Sequence, residues 1–288
     1  MTQSLFPHEI IIIDDGSIDN TCDVVSMFAS EAIKLISLRQ SIGAAAARNV
    51  GIKVATGNII AFLDADDEWL PDKLRLQEAK IANHQCEISI VSCRAEAIWE
   101  DSGDKTLLYD GSLEFGANKL WKQMLACPII ATPTVLTKKK ILEVVGGFDE
   151  SLVVAEDQDL WWRLARYGKV LFVDEILVRV YKRTTSLSRQ NPELAESVLL
   201  PLIERRVKEW GSELTQRERR FILAKRRTEV GRYLLWNGNS KHGFYLLLKA
   251  MLSLHKPFSN MMFIIRTTLP IRLIKDRIKN IRDRRHGI

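Results

Sequence analysis

The chain has 288 residues, 46% hydrophobic and 27% charged, which is the balance of a folded globular protein and excludes a disordered one. Its net charge of +6 conceals a division: residues 190–288 hold 21 Lys and Arg against 9 Asp and Glu, whereas residues 1–189 hold 21 against 27. An acidic first part suits a metal site and a basic second part an anionic partner. Cys22, Cys86, Cys93 and Cys127 show no CxxC pairing and no metal-ligand spacing, and nothing reads as a signal peptide, so a reducing cytoplasm is expected. The most apolar stretch, 244–273, is interrupted by Lys249, His255, Lys256, Pro257, Arg266, Pro270 and Arg272, which argues against a membrane span.

In chain order, Glu9–Ile13 is a β-branched run ending in Asp14-Asp15-Gly16-Ser17, as in a strand buried on both faces. Asp19-Asn20-Thr21 offers helix-capping residues for a helix to about Ser30. A short strand over Lys34–Leu38 and an Ala-rich helix over Ser41–Ala55 follow. Asn58–Leu63 reads as another buried strand, ending in Asp64-Ala65-Asp66-Asp67, with a helix from Pro71 to about Asn83 and a strand over Ile88–Cys93 behind it. The middle is mixed, with a turn at Gly146–Glu150, a helix over Glu156–Tyr167 and strands over Val170–Val173 and Ile176–Tyr181. Beyond Pro192 the pattern is helical, over Val198–Trp210, Gln216–Trp236 and Ser240–Leu254, the last two paired as a hairpin. The alternation predicts an α/β fold, a Rossmann-like mostly parallel sheet with helices on both faces, over 1–189, and a basic helical region over 190–288. Both acidic clusters then sit at strand carboxyl ends and converge in one crevice.

Asp64 and Asp66, at i and i+2, can place one oxygen on a divalent cation and another on a ribose hydroxyl, since Mg²⁺ and Mn²⁺ take hard oxygen ligands; alternatively the loop only caps the next helix. Asp14 and Asp15 can accept from a nucleobase N–H and ribose hydroxyls, or form a simple Asx turn. Arg48, alone on its Ala-rich helix, can steer a diphosphate, or pair with a carboxylate at the surface. Glu156 and Asp157 stand at a helix start, where exposed N–H groups favour the charged carboxylate. Asp157 is then a general base for a hydroxyl or only a cap.

Taken together, the segments Glu9–Ser17, Ala47–Gly51, Phe62–Asp67, Gly146–Glu150 and Glu156–Trp161 resemble a family 2 glycosyltransferase of the GT-A fold, over about residues 3–189. The resemblance implies Asp14 and Asp15 at the nucleoside, Arg48 near the base or diphosphate, Asp64 at the ribose and Asp66 on a divalent metal, Mg or Mn. It makes Asp157 the base of an inverting single displacement from a nucleotide-sugar donor to a saccharide or lipid-linked acceptor. Glu156, Lys182 and Arg183 are candidate phosphate or acceptor contacts. Two departures stand out. Relatives commonly carry a strand and helix before the Asp14 strand. Here 3–7 reads as the last turn of that helix, which leaves a gap in the sheet flanked by apolar edges. Many relatives also place a metal-assisting His near 181–188, and this chain has none there.

The alternative reading is a catalytically inactive relative that binds nucleotide or a partner. No Gly-rich basic phosphate loop supports a nucleotidyltransferase, and no GxGxxG follows a strand as in a dehydrogenase. The segment 272–285 carries a basic face beside apolar residues at helical spacing. It fits an anionic membrane surface, placing the protein in the cytoplasm, peripheral on the inner face of the membrane, with no nucleic acid partner.

Overall fold

The computed structural model describes residues 2–28, 30–83, 87–109, 119–182 and 193–253. The chain divides into two compact units, Met1–Asn191 and Pro192–Ile288.

In the first unit β1 (Ile10–Asp14) pairs in parallel with β2 (Ile33–Ser37) in a two-stranded sheet of their own, with α1 (Thr21–Ser26) between them in sequence. Helix α2 (Ala44–Val54) leads to β3 (Ile59–Ala61), the edge of a separate six-stranded sheet of order β3-β7-β5-β8-β4, with β6 also on β5. The other members are β4 (Asp67–Trp69), β5 (Ile88–Trp99), β6 (Lys105–Leu107), β7 (Leu136–Lys138) and β8 (Lys169–Lys182). Helices α3 (Lys73–Ala82), α4 (Leu120–Ala126), α5 (Lys139–Val145) and α6 (Glu156–Tyr167) lie between them in sequence. Only β5–β8 runs parallel in this sheet, the remaining pairs being antiparallel. The α/β class therefore stands, with a mixed sheet where strand–helix alternation suggested a mostly parallel one. The short β4 and β6, three residues each, have no periodicity from which to read them.

Among the described residues no strand pairs with the second edge of β1 or of β3, and Ile10–Ile13 are only half-buried in a run that reads as fully buried. Residues 3–7 are not the helical turn expected of them. Gln3 Nε2 donates to Leu70 O at 2.7 Å and Ser4 N to Pro71 O at 2.8 Å instead, which ties them to the start of α3. The core of this unit lies on β5 and β8, where Val91, Cys93, Val173, Leu177 and Val178 are buried. Strand β8 is continuous where the sequence suggested two strands, and its pairing with β5 is irregular at Ile88–Ile90 and at Cys93–Ala95.

In the second unit a π-helical turn, Ala195–Leu199, runs into α7 (Leu200–Glu209), followed by α8 (Gln216–Trp236) and α9 (Ser240–Leu252). Thr215 and Glu218 close a capping box at the start of α8, with Glu218 N donating to Thr215 Oγ1 at 3.2 Å and Thr215 N to Glu218 Oε2 at 2.7 Å. The two helices of the hairpin approach closely through glycine. A Cβ on Gly243 would lie 2.7 Å from Leu235 Cγ and 2.8 Å from Gly231 O. Alanine would improve helix propensity there, yet the contact with backbone cannot relax cheaply. Gly243→Ala is expected to lower stability by about 1–3 kcal/mol, read as a lower urea midpoint by circular dichroism. A midpoint equal to the parent's would reject the close packing.

Candidate active site

The site grows from two glycine-dependent turns and one arginine. Gly16 has φ +79°, and a Cβ there would meet Ser41 N at 2.7 Å. That approach lets Asp15 accept from Ile42 N at 2.7 Å, Ser41 Oγ at 2.7 Å and Gly43 N at 3.0 Å. Burial opposes ionisation of Asp15, but these donors hold its carboxyl below the ordinary value. Asp14 is buried and accepts from Ser17 N at 3.1 Å, Cys22 Sγ at 3.1 Å and Ser37 Oγ at 2.8 Å. Hydrogen bonds from Ser17, then Cys22 and Ser37, hold it well below the usual carboxylate range. Both aspartates thus anchor the loop after β1, and their bonds run to their own loop, to α1, to β2 and to the segment before α2.

Helix α2 buries Ala45, Ala46 and Ala47 and presents Arg48 and Asn49. Asn49 clamps the turn after α5: Nδ2 donates to Phe148 O at 2.9 Å, and Oδ1 accepts from Phe148 N at 2.9 Å. Gly147, φ +67°, is required there, because a Cβ would sit 2.7 Å from Asn49 Oδ1. Arg163 holds the same turn through Val145 O and Gly147 O, both at 2.7 Å. The Phe148 ring so placed lies 5.5 Å from the Arg48 guanidinium and packs against Phe62 and Trp161. Arg48 Nη2 donates to Asp64 Oδ1 and Nη1 to Glu156 Oε1, each at 2.8 Å. Burial works against its charge, and the attraction of Asp64 and Glu156 outweighs it, so the guanidinium is held more firmly protonated than usual.

Asp157 follows Glu156 at the start of α6, just after Ala155, a non-glycine residue at φ +62°. Left-handed backbone of this kind concentrates at functional sites. Asp157 Oδ2 accepts from Thr132 Oγ1 at 3.0 Å and Oδ1 from Gln158 N at 2.6 Å. The helix start alone would lower its pKa. Burial first, and repulsion from Glu156 second, instead push it up to about 6, close to neutrality as a general base requires.

Asp66 is exposed and makes no hydrogen bond or ion pair among the described residues. Its neighbour Asp67 accepts from Tyr181 N at 3.1 Å and is pushed up to about 7 by burial, with Asp66 and Asp64 adding repulsion. Lys182 ends β8, the strand that pairs with β4, and faces the same acidic loop. Arg183 and the segment 272–285 lie outside the described residues. No group of three or more His, Cys, Asp or Glu among the described residues is placed to hold a metal by itself. An exposed lone carboxylate fits a divalent cation that takes its remaining oxygens from a diphosphate.

The structure thus joins Arg48, Asp64 and Glu156 directly and sets Asp157 beside them. Thr132, in the turn Thr132–Thr134, and the Phe148 platform were not assigned from sequence. A Thr in an irregular segment carries no periodic signal, whereas Phe148 stood within a recognised motif without a role.

Because the folded pKa of Asp157 is raised, the native state holds this proton more tightly than the unfolded chain. That contribution to stability is complete below about pH 4 and is lost as pH rises through about 6. Asp157→Asn is therefore expected to raise Tm at pH 7.5 by at least about 2 °C, with the gain disappearing near pH 4. Differential scanning calorimetry at the two pH values checks this, and a gain independent of pH would contradict a raised pKa.

Residues 2–143 match the family described as glycosyl transferase family 2. The chain is 46% identical over 162 residues to the Escherichia coli UDP-Glc:alpha-D-GlcNAc-diphosphoundecaprenol beta-1,3-glucosyltransferase WfgD, covering 56% of this chain and 60% of that protein. It is 41% identical over 86 residues to the putative teichuronic acid biosynthesis glycosyltransferase TuaG of Bacillus subtilis, covering 29% of this chain and 34% of TuaG. The chain thus spans less than two thirds of either protein. Among solved structures, S. aureus TarS 1-349 superposes with a TM-score of 0.61 at 19% identity, over 88% of this chain and 72% of that one. Its complex with UDP gives 0.59 at 19% identity, over 83% and 67%. At that identity the likeness establishes the fold, which is GT-A-like. The sequence match runs through the Asp14, Arg48 and Asp64 segments, so residues 2–143 carry a glycosyl transferase family 2 domain.

Proposed function

We propose that the protein transfers a sugar from a nucleotide-sugar donor to an acceptor hydroxyl by a single inverting displacement. The observation that carries this reading is the place of Asp157, at the start of α6 with the Thr132 hydroxyl on its carboxylate and the Arg48–Asp64–Glu156 group beside it; burial, which raises its carboxyl to about 6, supports it. The acceptor hydroxyl gives its proton to Asp157 as its oxygen bonds to the anomeric carbon. The bond from that carbon to the diphosphate oxygen breaks, the electron pair leaves with the nucleoside diphosphate, and the configuration at carbon inverts. Asp14, Asp15 and Asp64 are assigned to the nucleoside, with Arg48 near its base or diphosphate and Glu156, Lys182 and Arg183 to phosphate or acceptor. The acidic surroundings would repel a bare diphosphate. Asp66 would hold a Mg or Mn ion, which would supply the charge that neutralises the departing diphosphate.

The relatives favour a uridine diphosphate sugar, since WfgD is named for UDP-glucose and TarS was solved with UDP. WfgD is also named for a diphosphoundecaprenol-linked acceptor, which favours a lipid-linked saccharide. Helix α9 suits such an acceptor. Phe244, Tyr245, Leu248 and Leu252 are exposed on it, with Lys241 and Lys249 and no acidic residue in the helix. An apolar face rimmed by lysine fits the headgroup region of an anionic bilayer at the inner, cytoplasmic side. Among the described residues no helix is long and apolar enough to cross a membrane.

A second reading, nucleotide binding without turnover, is favoured by the edges of β1 and β3 that no strand pairs among the described residues. Transfer from UDP-glucose decides between them. Asp157→Asn is expected to lose about 10²–10⁴-fold in kcat while retaining UDP affinity, and Asp66→Ala to lose the metal dependence of UDP binding in calorimetry. Undiminished turnover by Asp157→Asn rejects the mechanism, and UDP binding with no transfer by the parent chain establishes the second reading. In sedimentation with phosphatidylglycerol vesicles, the parent chain is expected to bind at low salt, with binding reduced severalfold by combined replacement of Phe244, Leu248 and Leu252 with Ser. Equal binding by that variant removes α9 from the membrane contact.

A further inference from the structure

Beneath the base lies a buried polar system that the proposed reaction does not use. Lys73, in the first turn of α3, is wholly buried and forms no ion pair among the described residues. Its Nζ donates to Gln77 Oε1 at 2.7 Å and lies 4.1 Å from the centroid of the Trp69 ring. A charged amine in such a place is costly, and burial brings its pKa down to about 7. The ionisable group that acts on it is the Cys93 thiol, itself pushed up to about 11 by burial and therefore neutral. A methionine would fill the same space at lower electrostatic cost, so the amine asks for an explanation beyond stability.

The hydrogen bonds supply one. Because Lys73 occupies Gln77 Oε1, the Gln77 amide nitrogen must face the other way, and it donates to Val91 O at 2.9 Å and Thr134 O at 2.8 Å. The Trp69 ring, against which the ammonium rests, donates through Nε1 to Pro133 O at 2.8 Å. Two consecutive carbonyls of the turn Thr132–Thr134 are thereby held from one lysine. Ser92 Oγ and Thr134 Oγ1, 2.8 Å apart, complete its attachment to β5. The remaining residue of that turn, Thr132, gives its hydroxyl to Asp157 Oδ2 at 3.0 Å.

We propose that Lys73 is a positioning residue for Asp157: it fixes Gln77 and Trp69, these hold the Thr134 and Pro133 carbonyls, and the turn so fixed aims the Thr132 hydroxyl at the carboxylate. The proposal rests on the reading of Asp157 as the base. The charged groups acting on that carboxylate are Glu156, which raises its pKa, and Arg48, which lowers it. Asp159, two residues on, is engaged by Arg163 at 2.8 Å. Thr132 is thus a dipolar contribution separable from the charges. Losing it removes a donor to the ionised form and raises the pKa of the base.

The test is the acid limb of kcat against pH, with UDP-glucose, in the full chain. Thr132→Val is expected to move its midpoint up by about half a pH unit. Lys73→Met is expected to reproduce that shift with donor KM within about twofold. Joining the two changes should move the midpoint no further than either alone, as for members of one chain of contacts. Trp69→Phe, which keeps the ring and removes the Nε1 donor, is a milder variant and should shift the midpoint in the same direction by less. The same midpoint is read without turnover, from the Tm difference between each chain and its Asp157→Asn counterpart across pH 4–8. An unmoved midpoint in both Lys73→Met and Trp69→Phe, or additive shifts in the double variant, overturns the positioning role and leaves Lys73 structural. A chain without transferase activity whose calorimetric midpoint still moves keeps the positioning role and loses the proposed reaction.

Discussion

Arg48 spans the distance between two parts of the chain that must meet for a site to exist. One guanidinium nitrogen holds Asp64, at the end of the β3 segment, and the other holds Glu156, at the start of α6. The pair is partly shielded from water, so it is worth more than a surface ion pair and less than its Coulomb energy suggests. Its geometric effect exceeds its energetic one. A planar guanidinium with two carboxylates at 2.8 Å fixes direction as well as distance. Lysine could satisfy one of these partners but not define the angle between them.

The arginine needs a floor, and the glycine turn provides it. Phe148 lies under Arg48 only because Gly147 lets the backbone press against Asn49 and because Arg163 ties the same turn from the other side. Four of the five motifs recognised in the sequence are therefore mechanically one object, since Asn49 of one binds Phe148 of another while Arg48 joins a third and a fourth. A chain that kept Asp64 and Asp157 but lost Gly147 would lose their relative placement.

This interdependence explains what the sequence disclosed and what it did not. Runs such as Ile10–Ile13 and the pattern of Glu156–Tyr167 announce their elements, because one strand buries through β-branched repetition and one helix through its period. The acidic clusters at strand ends announced themselves for the same reason. Three-residue strands such as β4 and β6 are invisible, since their state comes from pairing with β8 and β5 and not from their own residues. The half-burial of Ile10–Ile13 follows from an unpaired edge, a property of the sheet that no local pattern encodes. Thr132 and Lys73 were missed on related grounds. A threonine in an irregular turn, and a lysine in the first turn of α3, acquire their roles only from what packs against them. The helix-start argument for Asp157 placed the residue well but misjudged the balance, because burial and Glu156 outweigh the helix dipole.

Two groups tied to the turn have their protonation displaced in opposite directions. The Asp157 acid is raised to about 6 and the Lys73 amine lowered to about 7. An acid with a raised pKa contributes a penalty that is complete once pH exceeds its folded value. An amine with a lowered pKa contributes one that is complete below its folded value and fades as pH climbs toward its unfolded value. The two penalties therefore overlap most fully around pH 7. A protein selected for stability alone would replace both groups with neutral residues of similar volume. Their coexistence, one resting on the turn that the other helps to hold, is the pattern expected where placing a base near its working pH takes precedence over stability.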